Sequence, residues 1–139
     1  MSNLYTVAVY CSPKEEYEVI VLRGKLHSYK KERIEDLIKR GFKLSCAIGT
    51  TNRESFLKYH LKARLLEFKN YRKKSTEELD RLLAENAPVD VLEDVANIVN
   101  DKSMEMMRLI SRLVDICLMS DIEVTDELAI LCNSLANLK

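Results

Sequence analysis

Apolar and polar positions alternate in three short stretches of the first fifty residues. The first runs from Leu4 to Cys11, the second from Tyr17 to Arg23 and the third from Leu44 to Ile48. A period of two is the pattern of a strand with one buried face. Residues 12–16 contain a proline among small and charged residues, which favours a loop. We therefore expect the first two strands to form an antiparallel hairpin.

The apolar spacing changes to three and four residues between the second and third strands. Ser28 can cap a helix over residues 29–40, whose apolar face is narrow and consists of Ile34, Leu37 and Ile38. Gly41 stands where a left-handed residue ends a helix, and Phe42 can fold back on Leu37.

Helical spacing dominates everything beyond residue 50. Thr51 and Glu54 are spaced as a capping box at the start of a long helix, and Ser75 begins a second such box. We therefore expect the long helix to end or bend near Lys74, and a short continuation to end before Pro88. Neither glycine nor proline follows, and apolar spacing predicts three more helices around residues 92–99, 107–117 and 128–138.

These elements predict an α+β fold. The sheet is small, mainly antiparallel and three-stranded, a helix crosses it, and a C-terminal helical bundle follows. A chain of 139 residues fits a single domain, 1–139. Within it we distinguish a β-β-α-β front at 1–50, a linking helix region at 51–86 and C-terminal helices at 87–139.

Charge divides the chain into two opposite parts. Residues 1–74 hold 17 Lys and Arg against 8 Asp and Glu, whereas residues 75–139 hold 5 against 14, giving +9 and −9. Either the basic front meets the acidic back, within a molecule or between subunits, or it binds a polyanion. We favour the first, since complementary charge steers association. The candidate basic patch is Lys58, Lys62, Lys69, Arg72, Lys73 and Lys74.

The turn after the third strand is a candidate anion site. Its residues combine a glycine, two hydroxyls and a basic side chain at a helix N-terminus, where backbone N–H groups point outward. The turn comprises Gly49, Thr50, Thr51, Asn52 and Arg53. Together with the basic helix, it would suit a nucleotide, a phosphate or a nucleic acid.

One helix of the back half is apolar on two sides, so it must be covered on two sides. Its second stripe predicts either more core or the interface of a homo-oligomer. The stripe consists of Met106, Leu109, Leu113 and Ile116.

Catalytic and metal-binding patterns are weak. The four cysteines, Cys11, Cys46, Cys117 and Cys132, include no Cys-x-x-Cys pair and fall in register with apolar neighbours, so we expect free, buried thiols. The two histidines, His27 and His60, have no neighbouring acid at a spacing that would indicate a catalytic pair. We predict no enzyme activity, no cofactor and no metal. No apolar run is long enough to span a membrane, so we expect a cytoplasmic protein.

The sequence thus predicts a small non-enzymatic binding or regulatory protein. It would associate with itself through its helical half and present its basic half to an acidic protein partner or an anionic ligand. Short, lysine-rich chains of this kind resemble the accessory and inhibitor proteins of phages and mobile elements. The alternative is a nucleic-acid or nucleotide binder that uses the basic helix and the turn at residues 49–52.

Overall fold

The computed structural model describes residues 4–24 and 31–122, which form three strands and three helices. This arrangement confirms the predicted α+β class. In chain order the elements are β1 (Tyr5–Cys11), β2 (Tyr17–Arg23), α1 (Lys31–Lys39), β3 (Lys43–Thr50), α2 (Arg53–Ala84) and α3 (Val89–Met119).

The strands form one antiparallel sheet in the order β2-β1-β3. The hairpin of β1 and β2 pairs in register from Cys11↔Tyr17 to Tyr5↔Arg23, as the alternation predicts. On its other side β1 pairs with β3, with an irregularity between Val9 and Tyr10. Because β1 is central, β2 and β3 are the two edges of the sheet.

A helix covers each face of the sheet. Side chains of β1 and β2 alternate between the two faces, so each helix packs against its own apolar row. On one face α1 packs against a cluster of Ala8, Tyr10, Ile20, Leu22, Ile34, Leu37 and Phe42. On the other face α2 contributes Ala63 to a cluster with Val7, Val9 and Val19.

The end of α1 follows the predicted geometry. Gly41 has φ +88°, a conformation that glycine adopts without strain. The Phe42 N–H donates to the Leu37 carbonyl at 2.9 Å, which closes the last turn of the helix. Both side chains are buried in the same cluster, and β3 begins one residue later.

The long helix α2 differs from the prediction at its N-cap and at Ser75. Asn52 is the N-cap, and its side chain accepts from the Ser55 N–H at 3.0 Å, so Thr51 is not the capping residue. The helix then runs 32 residues without a break, roughly 48 Å at 1.5 Å per residue. An end of the helix near Lys74, one of the two alternatives predicted, is wrong, because Ser75 is buried within α2 instead of starting a new helix.

A hairpin of α2 and α3 forms the second half of the described chain. The two helices expected at 92–99 and 107–117 are one continuous α3. Its inner half packs on α2 in a core of Leu57, Leu61, Leu65, Phe68, Ile110, Leu113, Val114, Cys117 and Ile122. The helix expected at 128–138 lies outside the described residues.

The outer half of this hairpin is less apolar than the inner half. Ser75 and Ser103 are buried there, and among the described residues the Ser103 hydroxyl has no hydrogen-bond partner. Near the tip, Leu83, Val89 and Ile98 are 60%, 77% and 65% exposed. The tip therefore presents apolar side chains to solvent.

Candidate binding surface

Two side chains from other elements cap the middle of the β2 edge, at Val19. The Val19 N–H donates to a carboxylate oxygen of Glu67 on α2 at 3.0 Å. The Val19 carbonyl accepts from the Arg33 guanidinium of α1 at 3.3 Å, and the same nitrogen lies 3.2 Å from Glu18. Both backbone groups that Val19 turns outward are therefore satisfied by side chains.

Glu67 is buried, with 8% of its surface exposed. Burial raises the pKa of its carboxyl, although the nearby Arg64 and the Val19 N–H both oppose that shift. Arg64 Nη1 lies 3.4 Å from Glu67 Oε1. The carboxylate is thus held by a strand on one side and by a guanidinium on the other.

His60 continues this polar row along α2. Arg64 Nε donates to His60 Nε2 at 3.1 Å, so the imidazole accepts and is neutral. Burial, with a smaller contribution from Arg64, lowers the pKa of His60 to about 4. Phe56 packs beside His60 and stacks on Tyr5 with ring centroids 4.5 Å apart.

A groove of about 720 Å³ runs between β2, α2 and α3. It has Arg64 and Glu67 on its floor, Tyr17 on the sheet side and Met106 on the α3 side. Six basic and six acidic side chains line it, so it has no net charge. Within this lining Lys74 pairs with Glu77 and Arg81 with Glu78, and each also pairs with a carboxylate outside it, Glu15 and Glu85 respectively.

Four members of the basic patch share one outward face of α2. At 100° per residue, Lys58, Lys62, Lys69 and Lys73 fall within one narrow sector, and all but Lys58, which is half-buried, are exposed. Lys58 also lies 3.7 Å from Glu54. We call these four residues the lysine face.

The other two members of the basic patch point elsewhere. Lys74 lies 3.7 Å from Glu15 and 3.9 Å from Glu77, so it belongs to the groove. Arg72 follows Phe68 by one turn and is half-buried on the side of α3.

The ion pairs within the described part of the chain are mostly local. Those that link distant positions, Arg33 with Glu18 and Lys74 with Glu15, lie wholly inside residues 1–74. The pair of Lys74 and Glu77, one helical turn apart, joins the basic front to the acidic back. The two halves pack together through the apolar core of α2 and α3, whereas association through their opposite charges stays a prediction.

The structure uses the turn at residues 49–53 to start α2. Gly49 lies in β3, where an added Cβ would meet Leu4 at 3.4 Å. Thr50 Oγ1 accepts from the Asn52 N–H at 3.1 Å, and Arg53 donates to the Ser120 hydroxyl at 3.2 Å beyond the end of α3. These groups are occupied by the fold itself, and the anion site stays a prediction.

The predicted interface stripe on α3 divides between core and surface. Leu113 is buried, while Met106 and Leu109 are half-buried and pack against the core of the hairpin. Ile116 is 37% exposed. Self-association through this stripe is a prediction that the structure leaves open.

The cysteines do not share one environment. Cys117 is buried, as expected, whereas Cys46 is exposed and Cys11 is half-buried. The expectation is wrong for Cys46 because α1 and α2 leave β3 largely uncovered. Cys132 and His27 lie outside the described residues.

The most exposed regular element of the sheet is β3. Five consecutive residues, 43–47, are exposed, and Leu44 is 47% exposed. Alternation alone could not reveal this, because an edge strand and a central strand show the same period of two.

The sequence analysis also did not predict the side chains that cap the outward groups of Val19 on β2. Glu67 carried a signal, since it is the only acidic residue between Glu54 and Glu77 in a strongly basic helix. An isolated acid in such a segment indicates a specific partner. Arg33 and Arg64 gave no comparable signal.

Within residues 4–24 and 31–122, no three His, Cys, Asp or Glu side chains are grouped as metal ligands. No helix in that part is long and apolar enough to cross a membrane. No family model matches the chain, and neither the curated proteins nor the solved structures compared with it give a match.

Proposed function

We propose that this chain is a small, non-enzymatic binding protein with a regulatory or inhibitory role in the cytoplasm, and that it associates with an acidic surface of a protein partner. The lysine face is the observation that carries the proposal. Its four lysines span about 22 Å along α2, because Lys73 follows Lys58 by 15 residue steps of about 1.5 Å each. A rigid row of like charges of this length steers an oppositely charged partner into place.

The environments of the most perturbed groups support a non-enzymatic role. His60 accepts from Arg64, and Glu67 accepts from the Val19 N–H, so each is committed to a structural contact. A catalytic base needs access to substrate within hydrogen-bonding distance.

The rival candidate is a nucleic-acid binder that uses the same lysine face. Tyr59 is 37% exposed beside that face and could stack on a base. Salt distinguishes this class, because each phosphate that a lysine neutralises adds about 0.7 to 0.9 to the slope of log affinity against log salt.

The test compares two double variants of equal charge. Lys69→Gln with Lys73→Gln removes half of the lysine face, and Lys14→Gln with Lys31→Gln removes two exposed lysines elsewhere. The probes are a labelled Asp- and Glu-rich peptide and a labelled single-stranded oligonucleotide, with binding measured by fluorescence anisotropy. We expect the first variant to weaken peptide binding about fivefold or more and the control to leave it unchanged.

Two outcomes would contradict this function. Equal peptide affinity for both variants would remove the lysine face as a binding surface. Tighter oligonucleotide binding with a steep salt slope, abolished in the first variant, would establish the nucleic-acid alternative.

Self-association through one flank of α3 is the second part of the proposal. Ile98 and Ile116 lie on the same flank of the helix by their spacing and are 65% and 37% exposed. We expect the wild type to sediment as an oligomer and the double variant Ile98→Glu with Ile116→Glu to be a folded monomer. A monomeric wild type at micromolar concentration would rule this part out.

A further inference from the structure

We propose that the acidic partner binds as an extended segment that adds a fourth strand to the sheet along β3. This partner is the acidic protein of the proposed function, so the strand addition rests on that function. In the described part of the chain β3 pairs only with β1, which leaves its other side available. An unpaired edge offers a row of N–H and C=O groups to an incoming strand.

The register determines which backbone groups of β3 point outward. Val19 turns its N–H away from β1, toward Glu67. In an antiparallel pair, two residues directly opposite each other turn their N–H and C=O groups either both toward each other or both away. Val9 lies opposite Val19 and therefore turns its groups away from β2, toward β3. Cys46 lies opposite Val9 and therefore turns its groups toward β1. The next residue, Ala47, therefore directs its N–H and C=O to the open edge.

The two edges of the sheet are treated differently. At β2 the outward groups of Val19 are capped by Glu67 and Arg33. At β3, by contrast, residues 43–47 are exposed as whole residues, including the apolar Leu44. Proteins usually protect an edge strand with charges, proline or a cover, and of these five residues only Lys43 is charged.

The side chains around β3 define the chemistry of the added strand. On the α2 face β3 presents Lys43 and Cys46, the partners of Cys11 and Val9. The groove lies between β2, α2 and α3, so the opposite flank of α2, marked by Tyr59, is the one turned toward β3. The outward lysine face adjoins that flank by helical spacing. Acidic side chains of the partner would meet these lysines.

On the opposite face of β3, apolar side chains of the added strand would fit best. Leu44 and Ala47 lie there, as the partners of the buried Tyr10 and Ala8, and both are exposed. A segment in which acidic and apolar residues alternate would therefore satisfy both faces at once.

A second copy of the chain fits this edge less well. A two-fold axis through paired β3 strands would place both α2 helices on the same face of one continuous sheet. The Lys43 residues and the lysine faces of the two copies would then lie on the same side of that sheet, and like charges disfavour that arrangement. Charge complementarity therefore selects an acidic strand from a different protein.

The test removes the outward N–H without removing the fold. Ala47→Pro deletes a donor on the open side of an edge strand, a position where proline is tolerated, and Ala47→Val is the matched control that keeps the donor. The probe is a short labelled peptide of alternating Glu and Val, compared with the same residues in block order. We expect Ala47→Pro to weaken binding of the alternating peptide about tenfold, and Ala47→Val to retain it.

If Ala47→Pro fails to fold, binding of backbone-methylated peptides to the wild type gives a second test of strand addition. Methylating alternate backbone nitrogens of the peptide in one register should abolish binding, and methylating the other register should not. Equal binding by both methylated peptides, or by folded Ala47→Pro and wild type, would rule out strand addition. If the lysine variants still weakened binding in that case, the proposed function would stand without it.

Discussion

The two edges of the sheet solve the same physical problem in opposite ways. Both β2 and β3 carry backbone groups that β1 does not pair, and both lie beside a helix. At β2 a buried carboxylate and a guanidinium, from residues far apart in the chain, satisfy the outward groups of Val19. At β3 no such cap is seen among the described residues, and residues 43–47 are exposed.

The difference shows where the fold accepts an energetic cost. Removing Glu67 from water raises the pKa of its carboxyl and requires Arg64 beside it. The desolvation of Glu67 is unfavourable, whereas an open β2 edge could pair with other chains. The β3 edge carries no comparable buried charge among the described residues, which agrees with the proposal that it binds a partner strand.

The largest expected effect comes from opening the β2 edge. Glu67→Ala would leave the Val19 N–H without its acceptor and Arg64 without its counter-charge. We expect a loss of about 2–4 kcal/mol in the free energy of unfolding, measured by urea denaturation. Glu67→Gln keeps an acceptor oxygen, so its loss should be about half as large or less. Equal losses would mean that packing, and not the capping bond, closes this edge.

Acid should lower the free energy of unfolding through His60. The folded-state pKa of His60 is about 4 and its ordinary value is 6.5, so the unfolded chain binds the proton first as the pH falls. Its contribution is complete above pH 6.5 and is lost toward pH 4, by up to about 3 kcal/mol. Glu67, whose pKa is raised, acts in the opposite direction and contributes more at low pH.

The variant His60→Gln isolates the histidine. Its unfolding free energy should vary less between pH 6.5 and pH 4 than that of the wild type. An unchanged pH slope would show that His60 is accessible enough to protonate in the folded state.

A smaller effect is expected at the other half of the cap. Arg33 is partly exposed, with 46% of its side chain accessible, so solvent can replace its bond to the Val19 carbonyl. Arg33→Ala should cost about 1 kcal/mol or less in unfolding free energy. A loss as large as that of Glu67→Ala would mean that the carbonyl, and not the N–H, is the critical group.

The smallest effect concerns reactivity without a change in stability. Cys46 on the open strand should react with a thiol reagent in the folded protein, while Cys117 in the hairpin core should react only on unfolding. Labelling followed by mass spectrometry checks the order. Protection of Cys46 at high protein concentration would indicate that β3 is covered by another copy.

Local patterns predicted the elements well, and long-range pairing limited the rest. Alternation located β1 and β2, and Gly41 marked the end of α1. The helix end predicted near Lys74 failed because Ser75 is buried within α2, where tertiary packing overrides a local capping signal. Local patterns could not predict the capping of Val19, because its hydrogen bond to Glu67 joins residues 48 positions apart in the chain. Of the candidate surfaces, only the lysine face followed from helical spacing alone.

The buried serines of the hairpin, including Ser103, whose hydroxyl has no hydrogen-bond partner among the described residues, have a consequence for local unfolding of the hairpin. Small polar side chains at Ser75 and Ser103 separate the apolar inner half of α2 and α3 from the exposed tip. Segments with few apolar contacts open at a lower free energy than the global transition. Amide hydrogen exchange should therefore be fast in residues 76–102 and slow in the inner half, so the tip can unfold and refold while the sheet and its open edge remain intact.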